Sequence, residues 1–302
     1  MFSNLFARIA TPFRTQPQLA AIGYMLLSTL GFSLMSACVR LISPELHASV
    51  IVTLRNFLTL MLLVPWLCYR GSAILKTERL GAHAWRGVIG GVGMLTWTYA
   101  LTIMPLTHAT ALSFTAPLFV TLFAIVFLKE KSSALRWAAL MVGFAGVLVI
   151  LRPSAEGFDW NALIVITATA SWALTSIFVK SLSATEPPLR MVFYMNLFML
   201  LMALPIGAAH WQMPSTYAWG VLTFMGICSI LMHFSMARAY SLAPVGTLMP
   251  FDFTRLIITA ILAYWLFGET SDGWTWVGAA IIIASAVFMA RKDVKAAAAA
   301  VE

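Results

Sequence analysis

Long apolar runs alternate with short polar ones along almost the whole chain. Stretches suited to helices fall at 18–39, 48–69, 85–104, 106–128, 134–151, 161–180, 190–209, 217–240, 245–267 and 274–290. Most approach the ~20 residues that a helix needs to cross a bilayer. The connections between them carry turn formers: Ser43-Pro44-Glu45, Tyr69-Arg70-Gly71, Met104-Pro105, Arg152-Pro153-Ser154, Thr185-Glu186-Pro187-Pro188, Ala243-Pro244 and Gly268-Glu269-Thr270. None is long enough to be a separate soluble domain. The pattern predicts an all-α polytopic membrane protein with ten transmembrane helices. Residues 1–17, with Arg8, Pro12, Arg14 and Pro17, are too polar and interrupted for a signal-peptide core. They are expected to be a cytoplasmic segment ahead of an uncleaved first span.

Composition agrees with this picture. Of 302 residues, 61% are hydrophobic and 10% charged, and the mean hydropathy is +0.89. Soluble domains run near 45–50% and about 25%. Such a chain cannot cover its surface with polar groups, so its outside is expected to face lipid. Disorder, collagen and disulfide scaffolds are excluded. The formal charge of +8 and pI near 9.7 would suit nucleic acid, but the basic residues have a topological pattern. Of 19 Lys and Arg, fourteen fall at one side's loops, among them Arg8, Arg14, Arg70, Arg86, Lys129, Lys131 and Lys180. Only Arg40 and Arg152 fall at the other, and Arg55, Arg238 and Arg255 remain inside spans. The positive-inside rule then puts both termini in the cytoplasm of an inner-membrane protein, with no nucleic acid needed. Cys38, Cys68 and Cys228 stand singly, and no His or carboxylate cluster has metal spacing, so neither metal nor cofactor is expected.

Set against itself, the chain matches weakly at an offset near 140. Val39-Arg40 falls on Val179-Lys180, Asn56 on Asn196 and Pro65 on Pro205. At an offset of 139, Pro105 falls on Pro244, Phe114-Thr115 on Phe253-Thr254, Glu130 on Glu269, Trp137 on Trp276 and Arg152 on Arg291. The near-constant offset is the signal. It divides the chain into repeats at 18–152 and 153–291, followed by a cytoplasmic tail at 292–302. Five spans are an odd number, so the second copy enters the membrane from the opposite side. Two inverted five-helix repeats can offer a site between them to each face in turn.

Together with this organisation, the segment Met104-Pro105-Leu106-Thr107-His108-Ala109-Thr110-Ala111-Leu112-Ser113-Phe114-Thr115-Ala116-Pro117-Leu118, running on to Phe127-Leu128-Lys129-Glu130, resembles the EamA family of the drug/metabolite transporter superfamily. The second half repeats the pattern from Leu242-Ala243-Pro244-Val245-Gly246 to Phe267-Gly268-Glu269. The resemblance covers about 18 to 291. It implies a transporter, with substrates as varied as amino acids, nucleotide sugars, riboflavin, S-adenosylmethionine or drugs. By the same resemblance the central cavity would be lined by Phe32 and Ser36 on span one, Trp97 and Tyr99 on span three, and Thr110, Ser113 and Phe114 on span four. Trp172 and Thr175 on span six and Met249 and Phe253 on span nine complete that wall, which suits a flat or apolar substrate held by a few hydrogen bonds.

Ionisable groups within a bilayer are costly and draw attention to function. Asp252 and Arg255 share a helical face at i and i+3, and Arg238 is within a short turn of them. Their first-half counterparts are Ser113, Ala116 and about Tyr99, so the charges are an asymmetric addition. Two readings stand: a buried structural network, or a cationic centre for an anionic or zwitterionic substrate with Asp252 in gating or proton coupling. Arg55 reads as a helix contact or headgroup anchor. His108 reads as interfacial, and His233 falls near the midplane of span eight as a packing residue or substrate contact. Gly87 and Gly91, and Gly143 and Gly146, offer close helix approach. Pro117 and Pro250 are candidate kinks, and Glu130 and Glu269 candidate end-caps.

The function these features predict is secondary active transport of a small polar or amphipathic metabolite by alternating access. Proton coupling or exchange is open. Uptake of a vitamin or nucleoside-like metabolite and efflux of an amino acid are the leading classes. No GxxxxGK[ST] loop indicates direct use of ATP. An intramembrane enzyme is the weaker alternative, because GxSxG, HExxH and paired aspartates are missing from the sequence, and a receptor or scaffold is another.

Overall fold

The computed structural model describes residues 17–127, 134–151, 160–183, 185–243, 248 and 251–299. Arg8, Arg14, Lys129, Glu130, Lys131, Arg152, Pro244, Met249 and Pro250 lie outside the described residues. The helices are α1 (Pro17–Ile42), α2 (Ala48–Arg70), α3 (Leu80–Ile103), α4 (Leu106–Ser113), α5 (Ala116–Phe127), α6 (Ala134–Leu151), α7 (Asn161–Ser183), α8 (Pro188–Ala209), α9 (Thr216–Leu242), α10 (Thr254–Phe267) and α11 (Gly273–Ala299). No strand occurs among the described residues. Five of these helices, α1, α2, α7, α8 and α9, are long and apolar enough to cross a membrane. Shorter apolar helices occupy Leu106–Val120, Trp137–Ile150, Thr254–Phe267 and Gly273–Ser285. The protein is thus an all-helical, multi-pass membrane protein.

Local chemistry sets the helix ends. Ser215 Oγ accepts from the Ala218 amide at 3.1 Å, and His47 Nδ1 from the Ser49 amide at 3.3 Å, each satisfying a donor left free at a helix start. Pro188 opens α8, where its missing N–H costs nothing. Gly268 ends α10 at φ 65°, a left-handed conformation that a side chain would strain.

The apolar run at 106–128 is not one helix. Phe114 and Thr115 separate α4 from α5, and their amides turn back to Ala111 and Leu112 at 3.2 and 3.1 Å. Pro117 has no N–H to give to Ser113, so the helical ladder fails here. Phe253 makes the equivalent break before α10 in the second half.

The two halves pack as a symmetric pair. α9 packs on α1 as α7 packs on α3, and α10 on α1 as α5 on α7. α2 packs on its own counterpart α8, and α6 on α11. Each of these pairings maps onto another of them, or onto itself, when the halves are exchanged. Matching residues meet directly: the Phe114 and Phe253 rings lie 5.1 Å apart, and Phe32 and Trp172 5.9 Å apart. Such pairs mark a pseudo-two-fold axis. Thr29 meets Thr254 at 3.4 Å and its equivalent Thr169 meets Thr115 at 3.0 Å, so each broken helix is braced by the first helix of the other half. Between α6 and α11, the contact of Gly146 with Gly278 is mirrored by Ser285 Oγ donating to the Ala139 carbonyl at 2.5 Å.

Polar ties close the ends of the bundle. Glu269 pairs with Arg40 at 2.8 Å and accepts from the Leu106 amide at 2.9 Å. It therefore caps the start of α4, whereas its place after span nine reads as an end-cap for its own helix. Arg40 also donates to the Leu101 and Met104 carbonyls at 3.0 and 2.6 Å. At the opposite end, Glu186 accepts from Thr77 and from Arg190, both at 2.6 Å.

Candidate functional site

Between the halves lies a cavity of about 240 Å³. α1 contributes Ser28, Thr29, Phe32 and Met35, which share one face at helical spacing. α3 contributes Arg86, Gly90 and Met94 at i, i+4 and i+8, and α5 contributes Ala116 and Val120. α7 brings Trp172, Thr175 and Ser176, α8 brings Met195 and Met199, and α9 brings Met232, His233, Met236 and Tyr240. Arg55, Asp252 and Arg255 supply charge. The lining respects the repeat: Phe32 and Trp172, Met35 and Thr175, Arg55 and Met195, and Ala116 and Arg255 are equivalent positions, and all face the cavity. Among the described residues, α6 and α11 contribute nothing to this lining; they pack on each other.

Arg255 Nη2 lies 3.7 Å from Asp252 Oδ2. Its guanidinium sits 4.7 Å from the centre of the Phe114 ring and 4.9 Å from that of Phe32, both in the range of cation–π attraction. Ser33 donates to the Arg255 carbonyl at 3.4 Å and receives a hydrogen bond from Thr259 at 3.0 Å, fixing the start of α10 against α1.

Arg55 and Arg86 have softer company. Arg55 Nη1 points at the thioether sulfurs of Met35 and Met94 at 3.2 and 3.5 Å, and Nη2 donates to Asn56 Oδ1 at 2.7 Å. Arg86 Nη1 donates to the Met191 carbonyl at 3.0 Å, and Nη2 points at Met195 Sδ at 3.2 Å. His233 Nδ1 has no hydrogen-bond partner among the described residues.

Of the residues expected from sequence, Phe32, Trp172, Thr175, His233, Asp252 and Arg255 line the cavity. Trp97 stands behind that wall, fully buried, with its ring 5.5 Å from Phe32 and 5.2 Å from Trp172. Phe114 and Phe253 meet at the axis, and Phe114 faces Arg255. Ser36, Thr110 and Ser113 are buried among helices; the last two donate to the Leu106 and Thr110 carbonyls at 2.8 and 2.7 Å. Tyr99 is 44% exposed on the outer side of α3. Two residues turn a helix by about 200°, so with Trp97 inward Tyr99 points outward. The same geometry separates exposed Arg238 from cavity-lining Tyr240, and the Asp252 carboxylate is ion-paired with Arg255 alone among the described residues. Met249 lies outside the described residues.

Sequence reasoning missed Arg55 and Arg86 as cavity residues. Arg55 reads as an anchor but is 1% exposed and central. Arg86 counts as a loop cation only while span three starts at 85; α3 begins at Leu80, which carries Arg86 inside. Its i, i+4, i+8 alignment with Gly90 and Met94 was the available signal. The cavity also gathers six thioethers, from Met35, Met94, Met195, Met199, Met232 and Met236, out of 17 methionines in the chain.

Comparison with known proteins gives this arrangement a context. The model described as the EamA-like transporter family matches twice, over residues 19–152 and 159–291. The chain is 34% identical over 278 residues to the S-adenosylmethionine uptake transporter of Rickettsia conorii, covering 92% of this chain and 95% of that protein. It is 31% identical over 281 residues to the riboflavin transporter of Vibrio cholerae, covering 90% and 93%. A solved crystal structure aligns with a TM-score of 0.58 at 17% identity, covering 92% of this chain and 98% of the other, which speaks for the fold.

Proposed function

Because the chain belongs to the EamA-like transporter family, we propose that it is a secondary carrier moving a small polar or amphipathic metabolite across a bacterial-type inner membrane by alternating access. The observation that carries this reading is the cavity between the repeats, lined at equivalent positions of both halves. Rocking the halves about a shared axis exposes one cavity first to one face and then to the other. The relatives named for S-adenosylmethionine and riboflavin support a substrate with a flat heteroaromatic ring and polar appendages. Phe32 and Trp172 offer surfaces for such a ring, and Thr175, Ser176 and His233 offer hydrogen bonds.

In this reading the chain crosses the membrane ten times as inverted repeats at 18–152 and 153–291. Both termini are cytoplasmic, with the N-terminal segment at 1–17 and the tail at 292–302, as the distribution of Lys and Arg supports. Asp252 is the candidate for proton coupling, since a carboxylate that can exchange Arg255 for a proton is a natural two-state element. Counterflow in proteoliposomes tests the proposal. Saturable exchange of S-adenosylmethionine or riboflavin, raised by substrate preloaded on the far side, is the expected result. A folded protein that moves neither of these, nor any solute in a mixed metabolite panel, would overturn it.

A further inference from the structure

Arg55 and Arg86 are 1% and 4% exposed, and both line the central cavity. Elsewhere the molecule matches guanidinium to carboxylate: Arg40 with Glu269, Arg190 with Glu186 and Arg255 with Asp252. Among the described residues, neither Arg55 nor Arg86 has such a partner. Their neighbours are a carbonyl, an amide oxygen and thioethers, and thioethers are weak acceptors. Arg55 Nε is buried without an acceptor among the described residues. Two buried cations within a membrane protein without counter-charge are costly to maintain. A fixed cost at the wall of a cavity is explained if the missing anion arrives with the ligand.

The position fits. Both guanidiniums line the same cavity, together with His233. Met195 and Met199, one helical turn apart on α8, contact Arg86 and Arg55 respectively. The lining carries three guanidiniums against the single carboxylate of Asp252 among the described residues. Guanidinium presents a planar fork that matches the paired oxygens of an oxyanion.

Resting on the reading of this cavity as a substrate site, we propose that Arg55 and Arg86 form an oxyanion subsite that binds the carboxylate or phosphate group of the transported molecule. The substrate class narrows to ring-bearing compounds with an acidic group, a condition that the carboxylate of S-adenosylmethionine meets and that riboflavin, which has no such group, does not. Asp252, paired with Arg255, remains free of that group and available to a cationic one.

Thermal unfolding of the purified full-length protein in chloride, acetate and phosphate at equal ionic strength is the direct test. One oxyanion should raise the midpoint over chloride by roughly 3 °C or more. Acetate acting alone identifies a carboxylate site, and phosphate acting alone a phosphate site. Arg55→Gln and Arg86→Gln should each abolish the shift while remaining at least as stable as the wild type in chloride, because each removes an uncompensated buried charge. Equal midpoints in all three salts overturn the proposal, as does a shift that survives in the Gln variants. If a Gln variant does not fold, Arg55→Lys and Arg86→Lys carry the test: they keep the charge but lose the fork, and an undiminished shift in both overturns it. Counterflow on the same preparations separates the two proposals. An oxyanion response without flux of any solute sinks the carrier and leaves the subsite, whereas flux without an oxyanion response sinks only the subsite.

Discussion

Asp252 and Arg255 show how one ion pair can be both held and poised. The pair is 3.7 Å apart, loose for a salt bridge, and the guanidinium is kept in place chiefly by the Phe32 and Phe114 rings. Arg255→Lys keeps the charge but replaces a plane with a point, which stacks less well between rings. Arg255→Lys and Asp252→Asn should each lower counterflow by about tenfold or more, equivalent to about 1.4 kcal/mol or more in the transport barrier. Equal surface abundance and midpoints would assign that loss to transport rather than folding. Glu186 makes a different, pH-linked prediction. Burial pushes its pKa up, but the hydrogen bond from Thr77 and the hydrogen-bonded Arg190 guanidinium outweigh this and hold it below the ordinary 4.5. A depressed carboxylate stabilises the fold fully above its unfolded value and loses that contribution as pH falls through its lower folded value. Unfolding midpoints followed downward from pH 7 should therefore fall below about 4.5, and less steeply in Glu186→Gln. At this scale Asp252 and Arg255 were legible because charge stands out in an apolar run. Arg55 and Arg86 were not, because hydropathy along the chain does not say which way a long side chain turns.

The broken helices separate what sequence encodes locally from what packing imposes. In the first half Pro117 accounts for the interruption at Phe114 and Thr115. Its equivalent in the second half is Leu256, which has an amide and gives it to the Phe253 carbonyl at 3.1 Å. The second break therefore stands without a proline at that position, braced by the Phe114 ring and by the Thr29–Thr254 contact. A scan of the sequence for helix breakers finds Pro117 at the first break, whereas Pro250, the candidate kink near the second, lies outside the described residues. The long runs α1, α2, α7, α8 and α9 were readable because length and apolarity suffice. Between α6 and α11 the argument is one of clearance. A Cβ on Gly146 would meet the Gly278 carbonyl oxygen at 2.9 Å, and one on Gly278 would meet that of Gly146 at 2.6 Å. Backbone cannot yield as a side-chain tip does, so Gly146→Val or Gly278→Val should destabilise by about 1–3 kcal/mol. Denaturant unfolding in detergent checks this against Gly220→Val, where open space predicts little steric penalty.

For the molecule as a whole, polar ties close the bundle at both ends, and in an alternating-access cycle each would bias which way the cavity opens. Arg40 and Glu269 are 26% and 17% exposed, so their pair is worth about 1 kcal/mol or less. At that upper bound it changes a two-state population by roughly fivefold. In a background without native cysteines, Thr175→Cys should react with a membrane-impermeant thiol reagent severalfold faster from the Glu269 side when Glu269→Gln is added. An unchanged rate would mean that this tie does not govern opening. The two-fold organisation was legible from an offset near 140, and the family model matches once per half. Which residues sit on the axis was not legible. Matching positions such as Phe32 and Trp172 reveal that they touch only when both halves are assembled.

The thioether lining has a further consequence, in redox chemistry. Sulfur in methionine takes up oxygen to become a sulfoxide, which is polar and chiral, and reductases reverse the change. Six such sulfurs around one cavity, three of them facing Arg55 at 3.2, 3.5 and 4.0 Å, would exchange weak acceptors for strong ones. Mild peroxide should therefore lower flux before it unfolds the protein, with methionine sulfoxide reductase restoring it. Peptide mass spectrometry should find Met35 and Met94 protected when a transported solute is present. In an oxidised cell, the solvent-like wall of this cavity would become a brake on transport.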